Sequence, residues 1–250
     1  MPESAIDVSE LTRRFGAKTA LDSVSVSMPR GAVYGLVGAN GAGKTTLIKH
    51  ILGLLQAERG SVRVFGLDPV ADPVAVLSRT GYLSEENDLP GWMRVEELIR
   101  YSRAFYPAWD VAYAEELRQT FALDLKTRIR SLSKGQKARL GLLIALAYRP
   151  ELLVLDEPSS GLDPIVRRDI LGAVIRTIAD EGRTVLFSSH LLQEVEQVAD
   201  HVTIISHGRI VLSAPLHDIK EAHRVGNRVP SLDEIFVARV GTSVAPAQET

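Results

Sequence analysis

The sequence contains no cysteine among its 250 residues. This absence excludes a disulfide framework and any metal site built from thiolates, and it is compatible with a reducing compartment. A large excess of charge of either sign is also lacking, because 29 Lys and Arg side chains nearly balance 31 Asp and Glu side chains. No strong positive field draws the protein onto nucleic acid or anionic lipid, and we expect no nucleic-acid partner.

Long apolar runs are missing as well. The most apolar stretch, Leu140 to Tyr148, is far shorter than the roughly 20 residues that a membrane-spanning helix needs. The first residues, Met1 to Glu10, have neither the basic start nor the apolar run of a signal peptide. We therefore expect that any contact with a membrane is made through a partner.

Short apolar runs alternate with segments of helical periodicity along most of the chain. The runs predict buried strands, and the helical segments between them predict a largely parallel sheet that is covered on both faces, an α/β fold. The predicted strands are Val33–Val37, Leu152–Leu155, Thr184–Ser188 and Val202–Ser206, and the predicted helices are Lys44–Leu55, Pro164–Glu181 and Leu191–Ala199.

The middle of the chain follows a different pattern. From Arg94 to Tyr148 the spacing is helical throughout, which predicts an all-helical insert between two halves of one α/β core. Beyond Ser213 we expect irregular structure, apart from a short amphipathic segment, Leu232 to Val237.

A glycine-rich segment joins the first predicted strand to the first predicted helix. Its residues are Gly38, Ala39, Asn40, Gly41, Ala42, Gly43, Lys44 and Thr45, with Thr46 beside them. Glycines let successive backbone N–H groups turn toward one anion, and the start of a helix adds partial positive charge. The pattern predicts an ATP-phosphate loop in which Lys44 reaches the β and γ phosphates and the Thr45 hydroxyl holds Mg²⁺. A chance glycine-rich turn is the alternative, and the flanking strand and helix argue against it.

Two adjacent acids, Asp156 and Glu157, end the apolar run that begins at Leu152. The carboxyl end of such a strand lies at the same sheet edge as the phosphate loop. Asp156 can therefore complete the Mg²⁺ shell, and Glu157 can orient or deprotonate a water molecule for attack on the γ-phosphate. The alternative is a pair of solvated acids at a strand end.

At Leu132-Ser133-Lys134-Gly135-Gln136 the chain resembles the Leu-Ser-Gly-Gly-Gln signature of the ABC (ATP-binding cassette) ATPases, with lysine where glycine is commonest. Ser160-Gly161-Leu162-Asp163 resembles the dimer-contacting loop of that family. Both segments also fit purely structural roles: Ser133 and Gln136 match a helix capping box, and Asp163 before Pro164 matches a helix cap.

Three further positions carry the resemblance. His190 resembles the switch histidine that contacts the γ-phosphate, although a histidine at a strand end is more often packed or solvated. Phe15 stands where an aromatic ring stacks on adenine, with core packing as the competing interpretation. Glu85 stands where the family usually has a Mg²⁺-contacting glutamine. The resemblance implies that its carboxylate contacts the metal ion and the nucleotide.

The resemblance implies a nucleotide-binding core with a mostly parallel sheet, an all-helical subdomain and a small N-terminal antiparallel β part. It places one domain over residues 1–240, with the core at 1–86 and 150–240, the helical signature subdomain at 87–149, and a tail at 241–250.

The resemblance also implies a function. The chain would hydrolyse ATP with Mg²⁺ to power transport, in the export direction, through a separate transmembrane permease at the cytosolic face of the cell membrane. Two such subunits, as a homodimer or a heterodimer, would hold each ATP between Lys44 of one chain and Ser133 and Gly135 of the other. The alternative is a soluble ABC ATPase acting on ribosomes or nucleic acid, which a single cassette without sustained heptads or cysteines disfavours. A small-molecule kinase fits the signature and switch residues less well.

Overall fold

A computed structural model describes residues 4–86, 88–179, 182–224, 226 and 228–241, without the side chains of 173–179 and 240–241. In this part of the chain, three strands form a small antiparallel sheet and six form a larger sheet. The small sheet has the order β2-β1-β4 and consists of β1 (Ser4–Phe15), β2 (Lys18–Pro29) and β4 (Arg59–Val64).

The larger sheet carries the core of the fold. Its strands are β3 (Val33–Val37), β5 (Thr80–Leu83), β6 (Leu152–Asp156), β7 (Thr184–Ser189), β8 (His201–Ser206) and β9 (Arg209–Pro215). Their order is β5-β6-β7-β3-β8-β9, and every neighbouring pair is parallel except β8 and β9. The strands β3, β6 and β7 are buried along their whole length, as expected for parallel strands covered on both faces.

Helices cover this sheet and fill the middle of the chain. They are α1 (Lys44–Ile51), α2 (Pro73–Leu77), α3 (Val95–Arg103), α4 (Val111–Thr120), α5 (Lys134–Leu146), α6 (Pro164–Ala179), α7 (Leu192–Val198), α8 (Leu216–Ala222) and α9 (Leu232–Gly241). The helices α3 to α5 lie between β5 and β6, within the segment predicted to be all-helical. None of the helices in the described part of the chain has both the length and the apolar character needed to span a bilayer.

The hydrophobic core has two parts, one on each face of the larger sheet. Alternate residues of β7 show the division, because Leu186 packs in one part while Val185 and Phe187 pack in the other. The first part lies between the two sheets and contains Leu47 and Ile48 of α1. The second part joins the sheet to α3–α5, which attaches the helical insert firmly to the strands.

The predicted fold class is confirmed: the chain is a largely parallel α/β protein with an all-helical insert and a small antiparallel sheet near its N-terminus. The domain limits inferred from sequence stay a prediction. The last two residues of the predicted helix 164–181 lie outside the described residues, as does nearly all of the predicted tail, 241–250.

Two predicted boundaries are wrong. The helix from Lys44 ends at Ile51 rather than Leu55, because Gly53 adopts a left-handed φ of 71°. The Gly53 N–H donates to the His50 carbonyl and the Leu54 N–H donates to the Lys49 carbonyl, the paired bonds of a Schellman helix end.

The chain beyond Ser213 is also more regular than expected, because β9 runs to Pro215 and α8 follows it directly. The hairpin between β8 and β9 turns at His207 and Gly208, which have φ of 48° and 75°. Positive φ at both central residues is typical of the turn that matches the twist of paired antiparallel strands.

Close packing between β5 and α5 leads to a test of the fold. A Cβ added at Gly81 would lie 2.3 Å from the carbonyl oxygen of Ala145, a backbone atom that cannot move independently of its helix. We expect Gly81→Ala to lower the free energy of unfolding by about 1–3 kcal/mol, as overpacked cores do. Urea denaturation measures this change. Gly91→Ala is the matched control, since its nearest neighbour would be the Arg130 Cβ at 3.3 Å. Equal losses in both variants would contradict the packing argument.

Candidate functional site

The glycine-rich loop lies between β3 and α1, at the edge where the parallel strands end. Gly41 and Gly43 have φ of 79° and 116°, which favour glycine over residues with a side chain. Added Cβ atoms would also collide with backbone: at Gly43 with the Ala20 carbonyl oxygen at 2.7 Å, and at Gly38 with that of Ile205 at 2.4 Å. The loop is therefore closely packed, and its glycines leave the backbone at the start of α1 uncovered by side chains.

Lys44 is buried beneath this loop. Its Nζ donates to the Gly38 carbonyl at 2.6 Å and to the Ala39 carbonyl at 3.3 Å. The same Nζ lies 3.0 Å from Oε1 of Glu157, whose side chain is equally buried. Each of these charges would be costly to bury alone, so the ion pair explains how both are tolerated at one point.

Glu157 is the centre of the site. It follows β6 directly and has a φ of 47°, a left-handed conformation that is strained for a residue with a side chain. Its Oε2 lies 2.7 Å from His190 Nδ1 and accepts the His190 backbone N–H at 3.3 Å. One carboxylate thus contacts both Lys44 from the phosphate loop and His190 from the end of β7.

Asp156, just before Glu157, is held by a serine of the neighbouring strand. The Ser188 hydroxyl donates to Asp156 Oδ1 at 2.6 Å and accepts the Glu157 N–H at 2.9 Å. Burial, then the charges of Asp156 and Glu86, raise the pKa of Tyr82 to about 12. The carboxylates of Asp156 and Glu86 therefore both lie near the carboxyl ends of β5 and β6.

A cleft of about 340 Å³ opens above these residues. Side chains and backbone of the phosphate loop line it, together with Phe15, Lys18, Thr45, Thr46, Glu85 and Glu157. Phe15 does not belong to the hydrophobic core, since it is 47% exposed and its ring faces the Arg13 guanidinium at 4.8 Å. Phe15 is instead one of the residues that line the cleft.

The three predicted metal ligands lie at this cleft or next to it. Thr45 and Glu85 line it and Asp156 ends the strand beneath it. Among the described residues, no three His, Cys, Asp or Glu side chains converge as ligands. The available donors are a hydroxyl and carboxylates, which fit Mg²⁺ because that ion keeps several waters and takes its other ligands from one or two carboxylates and substrate phosphates.

The segment Ser133–Gln136 lies at the start of α5, where Lys134 lines a neighbouring pocket together with Glu85 and Glu157. Ser133 Oγ accepts the Gln136 N–H at 3.2 Å, and the Gln136 side chain accepts the Ser133 N–H at 2.9 Å, so the capping box is formed. A Cβ on Gly135 would meet Val166 Cγ2 at 2.7 Å, which places α6 against this helix start. In the described chain, neither Ser133 nor Gly135 lines the cleft of the phosphate loop.

The neighbouring loop is held by local contacts. Asp163 Oδ1 accepts the N–H groups of Ile165 at 3.0 Å and Val166 at 3.1 Å, the bonds of a helix cap. Ser160 donates to Glu85 Oε1 at 3.3 Å. Lys134 Nζ would lie 2.7 Å from a Cβ on Gly161, so this lysine extends over its own chain's loop.

Sequence reasoning missed several residues in or near the site: Lys18 on the cleft wall, Ser188 beside Asp156, and Ser159 and Arg167, which both contact Glu194 of α7. The sequence could have identified Ser188, because Ser188 and Ser189 are polar residues in an otherwise largely apolar strand. The other residues lie far apart in sequence and meet only in the folded chain.

A strand, a glycine-rich phosphate loop, a helix and strand-end acids at one sheet edge define a P-loop nucleotide-binding protein. Residues 21–160 match the family model described as ABC transporter, and the chain belongs to this family. It is an ATP-binding subunit of the ABC transporters and an ATPase.

Known relatives resemble the chain over most of its length. The daunorubicin/doxorubicin resistance ATP-binding protein DrrA of Streptomyces peucetius is 35% identical over 88% of this chain and 68% of its own. The bacitracin transport ATP-binding protein BcrA of Bacillus licheniformis is 31% identical over 88% of this chain and 72% of its own. A solved ATP-binding subunit of an ABC transporter superposes with a TM-score of 0.85 at 30% identity, covering 95% of this chain and all of that one.

The position of Lys44 leads to a test of the site. Lys44→Ala removes the ammonium group beneath the phosphate loop, and we expect ATP affinity to fall about 10- to 150-fold, the worth of a charged hydrogen bond of about 1.5–3 kcal/mol. Titration with a fluorescent ATP analogue measures the loss. Lys49→Ala is the matched control, because Lys49 lies on the exposed side of α1. Binding by the Lys44 variant equal to that of the Lys49 variant would refute the assignment.

Proposed function

We propose that this chain hydrolyses ATP to power the export of a drug- or antibiotic-like compound through a separate membrane-spanning subunit at the cytosolic face of the cell membrane. The observation that carries the hydrolytic part is the buried Glu157 carboxylate in contact with both Lys44 and His190. The export part rests on similarity to proteins whose names state drug resistance and bacitracin transport.

ATP binds with its phosphates against the loop from Gly38 to Gly43. Backbone N–H groups of the loop and the N-terminal end of α1 attract the phosphate charge, and Lys44 neutralises part of it. Phe15 stacks on the adenine ring, since an exposed aromatic face on the same cleft is suited to a flat base. Thr46 and Asn40 complete the walls beside the phosphates.

Thr45, Asp156 and Glu85 would hold the Mg²⁺ ion. When bound, this ion neutralises charge that develops on the phosphate oxygens during transfer. Ser188 keeps the Asp156 carboxylate oriented by its hydrogen bond of 2.6 Å. Glu85, tied to Ser160, links the ion site to the loop that follows β6.

Glu157 activates the attacking water. Its carboxylate accepts a proton as the water oxygen bonds to the γ-phosphorus, and the bond from that phosphorus to the bridging oxygen breaks. His190, in contact with Glu157 Oε2, orients that carboxylate and faces the γ-phosphate. The strained backbone of Glu157 is consistent with this role, because such strain is retained chiefly where function requires it.

Ser133, Gly135, Gln136 and Asp163 act across a dimer in this proposal. They lie away from the cleft of their own chain, at helix starts whose N–H groups attract anions. Two subunits arranged head to tail, as a homodimer or a heterodimer, would place them over ATP bound to the partner. Dimeric structures exist for ABC cassettes of the same fold, one of them bound to ADP and Pi, at a TM-score of 0.75 and 19% identity.

A variant of Glu157 tests the dimer and the catalytic base together. Glu157→Gln keeps the size of the side chain but removes the base, so we expect turnover to fall by about 10²- to 10⁴-fold, the usual contribution of general base catalysis. ATP then remains bound, and the protein should elute as a dimer in Mg²⁺-ATP during size-exclusion chromatography with light scattering. The double variant Lys44→Ala/Glu157→Gln is the control and should stay monomeric. A Glu157→Gln variant that is monomeric at saturating Mg²⁺-ATP would contradict the shared-site dimer.

Isolation of the protein at native abundance from its own cell membranes tests the transport partner. We expect a co-purifying protein with several apolar segments of about 20 residues each, the length that spans a bilayer. Resistance of cells that lack the chain, measured against a panel of antibiotics, then tests the export direction. Recovery with ribosomal or DNA-bound proteins instead, and not with membranes, would refute the transport partner while leaving the ATPase intact.

A further inference from the structure

A second buried acid, Glu194, lies behind the site in the first turn of α7. The residue is only 5% exposed, although it carries a carboxylate. A buried charge is tolerated only when it is paired and hydrogen-bonded. The partners of the Glu194 carboxylate therefore indicate its role. None of the roles proposed above uses this residue.

The partners of Glu194 come from three separate elements. Its Oε2 accepts the Ser159 hydroxyl at 2.5 Å and also lies 3.3 Å from the Ser189 hydroxyl. Its Oε1 lies 2.9 Å from Arg167 Nε, on the first turn of α6. One carboxylate therefore joins the loop after β6, the end of β7 and the start of α6.

Two of these partners sit next to the catalytic residues. Ser159 follows Glu157 after a single proline, and Ser189 immediately precedes His190. Glu157 and His190 in turn contact each other at 2.7 Å. Glu194 thus contacts the same two loops that carry Glu157 and His190. A shift of about 1 Å in such a pair is enough to impair catalysis.

We propose that Glu194 is a positioning residue for ATP hydrolysis, whose charged carboxylate clamps the Ser159 and Ser189 loops and so aligns Glu157 with His190. The inference rests on the proposed roles of Glu157 and His190. Charge is required because the Arg167 guanidinium lies 2.9 Å from one carboxylate oxygen as its ion-pair partner, while the Ser159 hydroxyl donates to the other oxygen. An amide of the same size offers one acceptor oxygen and turns a donor toward the other partner.

The test is Glu194→Gln compared with Glu196→Gln. Glu196 is the matched control, because it is an acid of the same helix that pairs with Lys220 and accepts the Leu232 N–H, away from the catalytic loops. We expect Glu194→Gln to lower kcat at least about tenfold, the effect of about 1.4 kcal/mol in the barrier, with the ATP dissociation constant changed less than about twofold. Glu196→Gln should change neither quantity by more than about twofold.

A double variant separates positioning from a general loss of structure. If Glu194 acts through His190, then Glu194→Gln added to His190→Ala should lower kcat no further than His190→Ala alone, since coupled residues are not additive. Independent, multiplicative losses would overturn the proposal. Equal losses in kcat and in ATP affinity would also overturn it, because they indicate damage to the fold.

Ser159→Ala keeps the proposal testable if Glu194→Gln does not fold. It removes only the shortest bond to the carboxylate, so we expect a fall in kcat of about threefold to tenfold, the worth of one hydrogen bond, at unchanged ATP affinity. Full activity in Ser159→Ala and in any folded Glu194→Gln protein would refute the clamp. Full turnover by Glu157→Gln would instead refute the proposed catalytic base, which distinguishes the two failures.

Discussion

The structure of the site depends on the buried contact between Lys44 and Glu157, at 3.0 Å. Both charges are removed from water, and either one alone would carry a desolvation cost of several kcal/mol. Their pairing requires the start of α1 and the end of β6 to stay in register across the sheet, although β7 lies between β6 and β3. The parallel order of these strands satisfies that requirement, because all of their carboxyl ends reach the same edge.

A second set of polar links involves helix α6. Arg167 pairs with Glu194 behind the catalytic loops, and Asp169 binds Arg139 of α5 at 2.6 Å. Val166, just before Arg167 in the same helix, packs against Gly135 at the start of α5. The beginning of α6 thus contacts both Glu194 of α7 and the start of α5, where the signature segment lies.

Much of the fold and part of the candidate site follow from local sequence pattern. The phosphate loop, the acids after β6 and the capping box at Ser133 depend on residues within a few positions of each other, whose conformations are set by neighbouring atoms. The errors have local causes too: Gly53 ended α1 early, and a His207-Gly208 turn extended the sheet with β9. In both places the conformation was decided by left-handed residues, which the apolar pattern of the sequence did not indicate.

The sequence by itself determined that this chain binds nucleotide phosphates at a glycine loop and belongs among the ABC ATPases, because those features are contiguous patterns with a definite chemistry. Only the tertiary structure decided that Phe15 faces the cleft, that Lys44 and His190 converge on Glu157, and that Glu194 lies behind them both. These contacts join residues far apart in the chain. The distances between these side chains are set by the order of the strands and by core packing. No short-range spacing of residue types encodes the strand order or the packing.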